Sequence, residues 1–85
     1  MSGTAAILGA DTARRELAGL GGFDEIVILE SSVDELERLV EELADPRLDY
    51  LLGALPVLPL PDRSVALILG DFSPDDPEIA RVRAS

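Results

Sequence analysis

The chain has no cysteine and no histidine in its 85 residues. A disulfide framework is thereby excluded. So is a zinc centre built on thiolates or imidazoles, and a site of carboxylates alone would suit Ca²⁺ or Mg²⁺ better. Lysine is absent as well, all seven basic residues being arginine, a bias that points to a GC-rich genome rather than a chemical need. Without histidine, cysteine or lysine, no serine has a base to activate it, and nucleophile–base catalysis drops out. No apolar run approaches the roughly 20 residues that span a bilayer, and no basic stretch with an apolar one behind it opens the chain, so the expected compartment is the cytoplasm. Positive charge is scarce: 17 acidic residues against 7 basic give a net charge of −10. Such a chain repels nucleic acid and anionic lipid, and neither is expected as a partner. The acidity is read as serving solubility, with a basic protein partner as the alternative.

Hydrophobic residues make up 47% of the chain, which sets it apart from disordered sequences. A domain this short buries only roughly 60–65% of the surface its unfolded form exposes, so association with another chain is the expected aid to stability. Thr4–Leu8 is a short apolar run ending at Gly9, consistent with a buried strand. Asp11 or Thr12 can then cap a helix with Ala13, Leu17 and Leu20 on one face, supported by Asp11 and Arg15 four apart. Gly21-Gly22 stops it. Residues 24–30 carry four consecutive apolar residues, which predicts a strand covered on both faces, as in a parallel sheet. Ser32 and Glu35 fit a capping box for a helix whose apolar stripe is Val33, Leu36, Leu39, Val40 and Leu43. Asp45-Pro46 ends that helix, and 48–52 and 65–69 read as strands. In the tail, 73–85, Ser73 can cap a helix with acids early and arginines late, although only Ile79 and Val82 give it an apolar face.

Between the last two strands runs GALPVLPLPDRSVALIL, with prolines at 56, 59 and 61. Pro56-Val57-Leu58-Pro59 is formally a PxxP ligand, but its flanks read as buried. Asp75, Asp76 and Glu78 lack the loop spacing of a calcium site and read as a solvated helix start. Alternating strands and helices with short links imply a parallel sheet with right-handed crossovers, antiparallel pairing of the last two strands being the alternative.

From 24 to 69 the order and spacing resemble the N-terminal half of a class I S-adenosylmethionine-dependent methyltransferase. Leu58-Pro59-Leu60-Pro61-Asp62-Arg63-Ser64-Val65 is similar to that family's Leu-Pro-Phe-Pro-Asp-Gly-Ser-Phe run into its fourth strand. The resemblance implies an α/β fold: a small Rossmann-like three-layer sandwich, about four mostly parallel strands in the order 3-2-1-4 with flanking helices. Residues 1–72 would form one truncated domain and 73–85 a tail or short helix. It implies that Glu30 accepts from the cofactor's ribose hydroxyls, that Gly9 opens the turn beside the methionine portion, and that Gly53, Ala54 and Leu55 form the turn beside the adenine. The sequence departs from the family where Asp11 and Ala13 replace glycines, where Ile7 and Ala66 replace acids, and where Ala54 replaces the adenine-reading aspartate.

These departures lead to an expected function as a non-catalytic, methyltransferase-like half domain that acts as an interaction or scaffold protein. No cofactor, no catalytic residue and no metal are expected. An S-adenosylmethionine-binding fragment completed by another chain or a second copy is the alternative. With its usual neighbour missing, strand 65–69 would be an apolar edge, and a homodimer through that edge, or another protein partner, is expected to cover it.

Overall fold

The computed structural model describes residues 3–84. Four strands, β1 (Thr4–Leu8), β2 (Glu25–Glu30), β3 (Leu48–Leu52) and β4 (Leu67–Leu69), form one sheet in the order β3-β2-β1-β4. Every pairing is parallel, β4 included. Among the described residues there are also three helices: α1 (Ala10–Glu16), continued by a 3₁₀ turn over Leu17–Gly19, then α2 (Val33–Glu42) and α3 (Pro77–Val82).

Strand alternation divides the core. Ala5, Ile7, Ile26, Ile28 and Leu48 face α1 and α2, where Ala13, Leu20 and Leu39 meet them. Ala6, Val27, Leu29 and Ile68 face the other way and meet Leu58, Val65, Ile79 and Val82. Each central strand is therefore covered twice, as its unbroken apolar run requires. The second cover is economical: the proline loop and the short α3 form it together.

Several local details differ from the sequence reading. Helix α1 begins at Ala10, with Gly9 before it at φ 98° and no side-chain cap, so neither Asp11 nor Thr12 caps it. The reason is that the Glu30 carboxylate, from the next strand, accepts from Ala10 N at 3.0 Å and does the cap's work from outside. Asp11 pairs with Arg14 at 3.3 Å, not with Arg15, which lies beside Glu16. The capping box of α2 is half formed. Ser32 Oγ accepts from Glu35 N, but Ser32 N donates to Glu30 and the Glu35 carboxylate turns to arginines. The apolar stripe of α2 is narrower than its spacing suggests, since Val33 and Val40 are each 54% exposed and only Leu36, Leu39 and Leu43 turn inward.

The tail is built into the fold. Asp76, not Ser73, caps α3, by accepting from Glu78 N, while Ser73 closes the preceding turn. Ile79 and Val82 are 1% and 0% exposed. Beyond the helix, Val65 N donates to Val82 O at 3.0 Å and Ala84 N to Val65 O at 2.7 Å, a parallel bridge beside the start of β4. The regular strand is accordingly shorter than the 65–69 expected, and its first residue is already paired with the chain's own end segment.

Burial of Ile79 fixes an expected outcome. Ile79→Ala should lower unfolding free energy by about 2–4 kcal/mol in urea titrations. A loss under about 0.5 kcal/mol would mean that the tail does not contribute to the core.

Candidate functional site

At the carboxyl ends of the strands, β1 and β4 are neighbours, yet the segments that follow them depart to opposite faces of the sheet. Such a switch point leaves a crevice, and open α/β sheets use it for ligands. Two adjoining clefts lie there. One, of about 440 Å³, is lined by Leu8, Gly9, Ala10, Asp11, Thr12, Arg14, Glu30, Glu35 and Asp71. The other, of about 280 Å³, is lined by Leu8, Gly9, Leu29, Glu30, Ser31, Gly53, Ala54, Leu55 and Asp71. Leu8, Gly9, Glu30 and Asp71 border both.

Glu30, Gly9, Gly53, Ala54 and Leu55, singled out in the sequence, are thus brought to one place. The α1-side cleft holds Gly9 and Glu30, and the other holds all five. Asp71 and Arg14 were not foreseen. A signal for Asp71 existed, because it follows Gly70 just past the end of β4, and strand ends at a switch point are where polar groups gather. Arg14 carried none, as a charge three residues after Asp11 reads as helix surface.

Glu30 is the centre of the arrangement. Its Oε1 accepts from Ala10 N at 3.0 Å, and its Oε2 from Ser32 N at 2.8 Å and Ser31 Oγ at 3.4 Å. Burial opposes its ionisation, but the N–H groups of Ala10, Ser32 and Ser31 and the Ser31 hydroxyl outweigh that and hold it below the ordinary glutamate value. Of these four groups, Ala10 N, Ser32 N and Ser31 Oγ stand at hydrogen-bond geometry, so about one of the carboxylate's roughly four lone-pair positions is open, and the long Ser31 Oγ contact is the one most readily exchanged.

Gly9 makes the turn possible. Its φ of 98° is a conformation that residues with a Cβ rarely adopt, and nothing lies within 4 Å of where a Cβ would stand, so backbone alone borders the clefts there. Gly53 answers to packing instead. A Cβ on it would lie 2.6 Å from Pro59 Cδ, because the loop folds back against the end of β3. Gly53 N donates to Glu30 O at 3.1 Å, which sets this turn beside the other two.

The proline loop is held from behind by α3. Glu78 Oε2 accepts from Leu58 N at 2.6 Å, Arg81 Nη2 donates to Leu58 O at 3.1 Å, and Arg81 Nη1 meets Asp62 at 2.7 Å. Arg81 and Glu78 also pair directly at 2.6 Å. Glu78 is therefore not the solvated helix-start acid its neighbours suggest. Arg81 first, and the Leu58 N–H second, hold its carboxyl down to about 2. Among the described residues no group of three or more acids is placed to hold a metal ion.

No family model matches the sequence, and no curated protein matches it. Solved structures do. The chain is similar to a Methanococcus maripaludis protein assigned as an S-adenosyl-L-methionine-dependent methyltransferase (TM-score 0.73, 22% identity, 100% of this chain and 45% of that one). It is similar to a chain in the complex of the Haloferax volcanii Trm112 methyltransferase activator with a protein assigned as a methyltransferase (0.73, 24% identity, 95% and 40%). It is also similar to an S-adenosylmethionine-dependent methyltransferase from Aquifex aeolicus (0.67, 18% identity, 95% and 50%). The chain thus has the Rossmann-like fold of these proteins over no more than half of their length.

The clamp yields a pH dependence. Because Glu78 titrates lower in the folded than in the unfolded chain, its contribution is complete above the usual 4.5 and is lost as pH falls toward about 2. Glu78→Gln should remove part of the acid-side slope between those values in a series of urea titrations, leaving the neutral-to-basic limb parallel to the wild type. An unchanged acid slope would rule out the clamp in solution.

Proposed function

We propose that this chain is a methyltransferase-fold half domain that binds S-adenosylmethionine and does not itself transfer methyl groups. The observation that carries the reading is the pair of adjoining clefts that meet at Gly9 and Glu30. Their adjacency suits a ligand with two unlike ends. In this reading Glu30 accepts from the ribose diol through its remaining lone pair and the one released by Ser31. The Gly9 turn admits the methionine portion, and Gly53, Ala54 and Leu55 lie against the purine. Ala54 supplies no side-chain acceptor to the adenine amino group, so backbone and shape carry that end. The half domain is read as non-catalytic because it corresponds to no more than half the length of the similar methyltransferase structures. An acceptor site would come from another chain or a second copy.

A second role rests on a different observation. Val65 N–H and C=O are taken up by Val82 and Ala84, and by strand alternation Leu67 and Leu69 turn their N–H and C=O groups to the same outer edge, where no strand of the described residues lies. We propose that this edge docks a partner, with a second copy as the simplest one. Assembly with an activator by one of the similar structures supports partnering in general.

Isothermal titration with S-adenosylmethionine should give saturable heat with one ligand per chain. No heat up to about 1 mM, which corresponds to binding weaker than about 4 kcal/mol, would sink the cofactor reading. Light scattering should report twice the 9.0 kDa of one chain. A monomer persisting at high concentration would remove the second copy as the partner.

A further inference from the structure

Among the residues that line the two clefts, Arg14 is the one cation, and it stands with Asp11, Glu30, Glu35 and Asp71. An exposed arginine on a helix ordinarily needs no further role. This one has an uneven set of partners. Nε and Nη2 hold Glu42 at 2.9 and 3.0 Å, a bidentate pair that links α1 to α2 and fixes the plane of the guanidinium. Nη1 is shared between Asp11 Oδ1 at 3.3 Å and Glu35 Oε2 at 3.4 Å, both long for a charge-assisted contact. Glu35 is more closely held by Arg38, at 2.9 Å. One nitrogen of an anchored cation is thus loosely engaged on the wall of the larger cleft, while carboxylates line the rest.

A wall with one cation among several carboxylates matches an amino-acid head group, which carries both an α-carboxylate and an α-ammonium. A purely anionic ligand would meet four carboxylates, and a purely cationic one would meet Arg14. We infer that Arg14 Nη1 receives the α-carboxylate of the ligand's amino-acid end, and that Asp11 and Asp71 receive its ammonium. The inference rests on the cofactor reading above and adds the residue that selects for the amino-acid tail. It also gives Asp11, which replaces a glycine of the resembling family, a compatible place: its charge is offset by Arg14 rather than turned on the incoming carboxylate.

The test compares S-adenosylhomocysteine, which has the tail, with 5′-methylthioadenosine, which lacks it, on the full chain. Wild type should bind the first at least tenfold more tightly. Arg14→Gln should weaken it about ten- to a hundredfold, as the loss of a charged hydrogen bond does, and move 5′-methylthioadenosine less than about twofold. Glu35→Gln removes a competitor for Nη1 and should tighten S-adenosylhomocysteine a few-fold with 5′-methylthioadenosine unchanged, a gain that damage to the fold cannot produce. Equal losses for both ligands in Arg14→Gln, no gain in Glu35→Gln, or equal wild-type affinity for the two ligands would each overturn the role of Arg14 and leave the cofactor reading standing. Wild type that binds neither ligand would overturn both.

Discussion

Two strand-to-helix turns lie side by side at the carboxyl end of this sheet, and each leaves backbone N–H groups that its own helix cannot satisfy. Glu30 takes one from each, Ala10 N and Ser32 N, while Leu29 O takes Gly9 N at 2.8 Å and Glu30 O takes Gly53 N at 3.1 Å. Three turns are thereby fixed relative to one another through a single strand end. The position of α1, the entry of α2, and the place where the proline loop leaves β3 all follow from it. A helix of seven residues such as α1 has little stability of its own, so external satisfaction of its first turn counts for more than it would in a long helix.

The same fact bears on the binding role proposed for Glu30. A residue wholly occupied by its own backbone would be scaffold, and one wholly free would be a ligand group. Here the hydrogen bonds that build the turns also fix the carboxylate and favour its ionised form at the border of both clefts. Structural and binding readings of this residue are therefore not rivals. In the proposed role, preorganisation for a ligand would be a by-product of the turn-building bonds.

Much of this was legible in the sequence. The strand runs, the order 3-2-1-4 and the gathering of Gly9, Glu30, Gly53, Ala54 and Leu55 follow from continuous apolar segments, glycine placement and a family-like spacing. What escaped was set by partners distant along the chain. The cap of α1 comes from a residue 20 positions away, so Asp11 and Thr12 looked better candidates than Gly9. Val33 and Val40 fit the helical stripe, but only the arc over β2 and β3 is covered, and periodicity cannot tell how wide the covering layer is. The tail has two apolar side chains, too few to predict a docked helix. It docks because those two reach the same core as the proline loop, and because Arg81 and Glu78 bind that loop's backbone. Arg14 was invisible for the same reason, its meaning arising only when α2 brings Glu35 and Glu42 beside it.

The bridge between Val65 and the segment after α3 gives the outer edge of the sheet a direction. One end is closed by the chain's own backbone running parallel to β4, and the other has no strand of the described residues beside it. An edge so marked is no longer symmetric to an approaching strand. A visiting strand of either direction has only Leu67–Leu69 to pair with. Fibre-like stacking of many copies, the hazard of a bare apolar edge, is limited by the same obstruction. Residues 82–84 thus act as a stop as well as a bond.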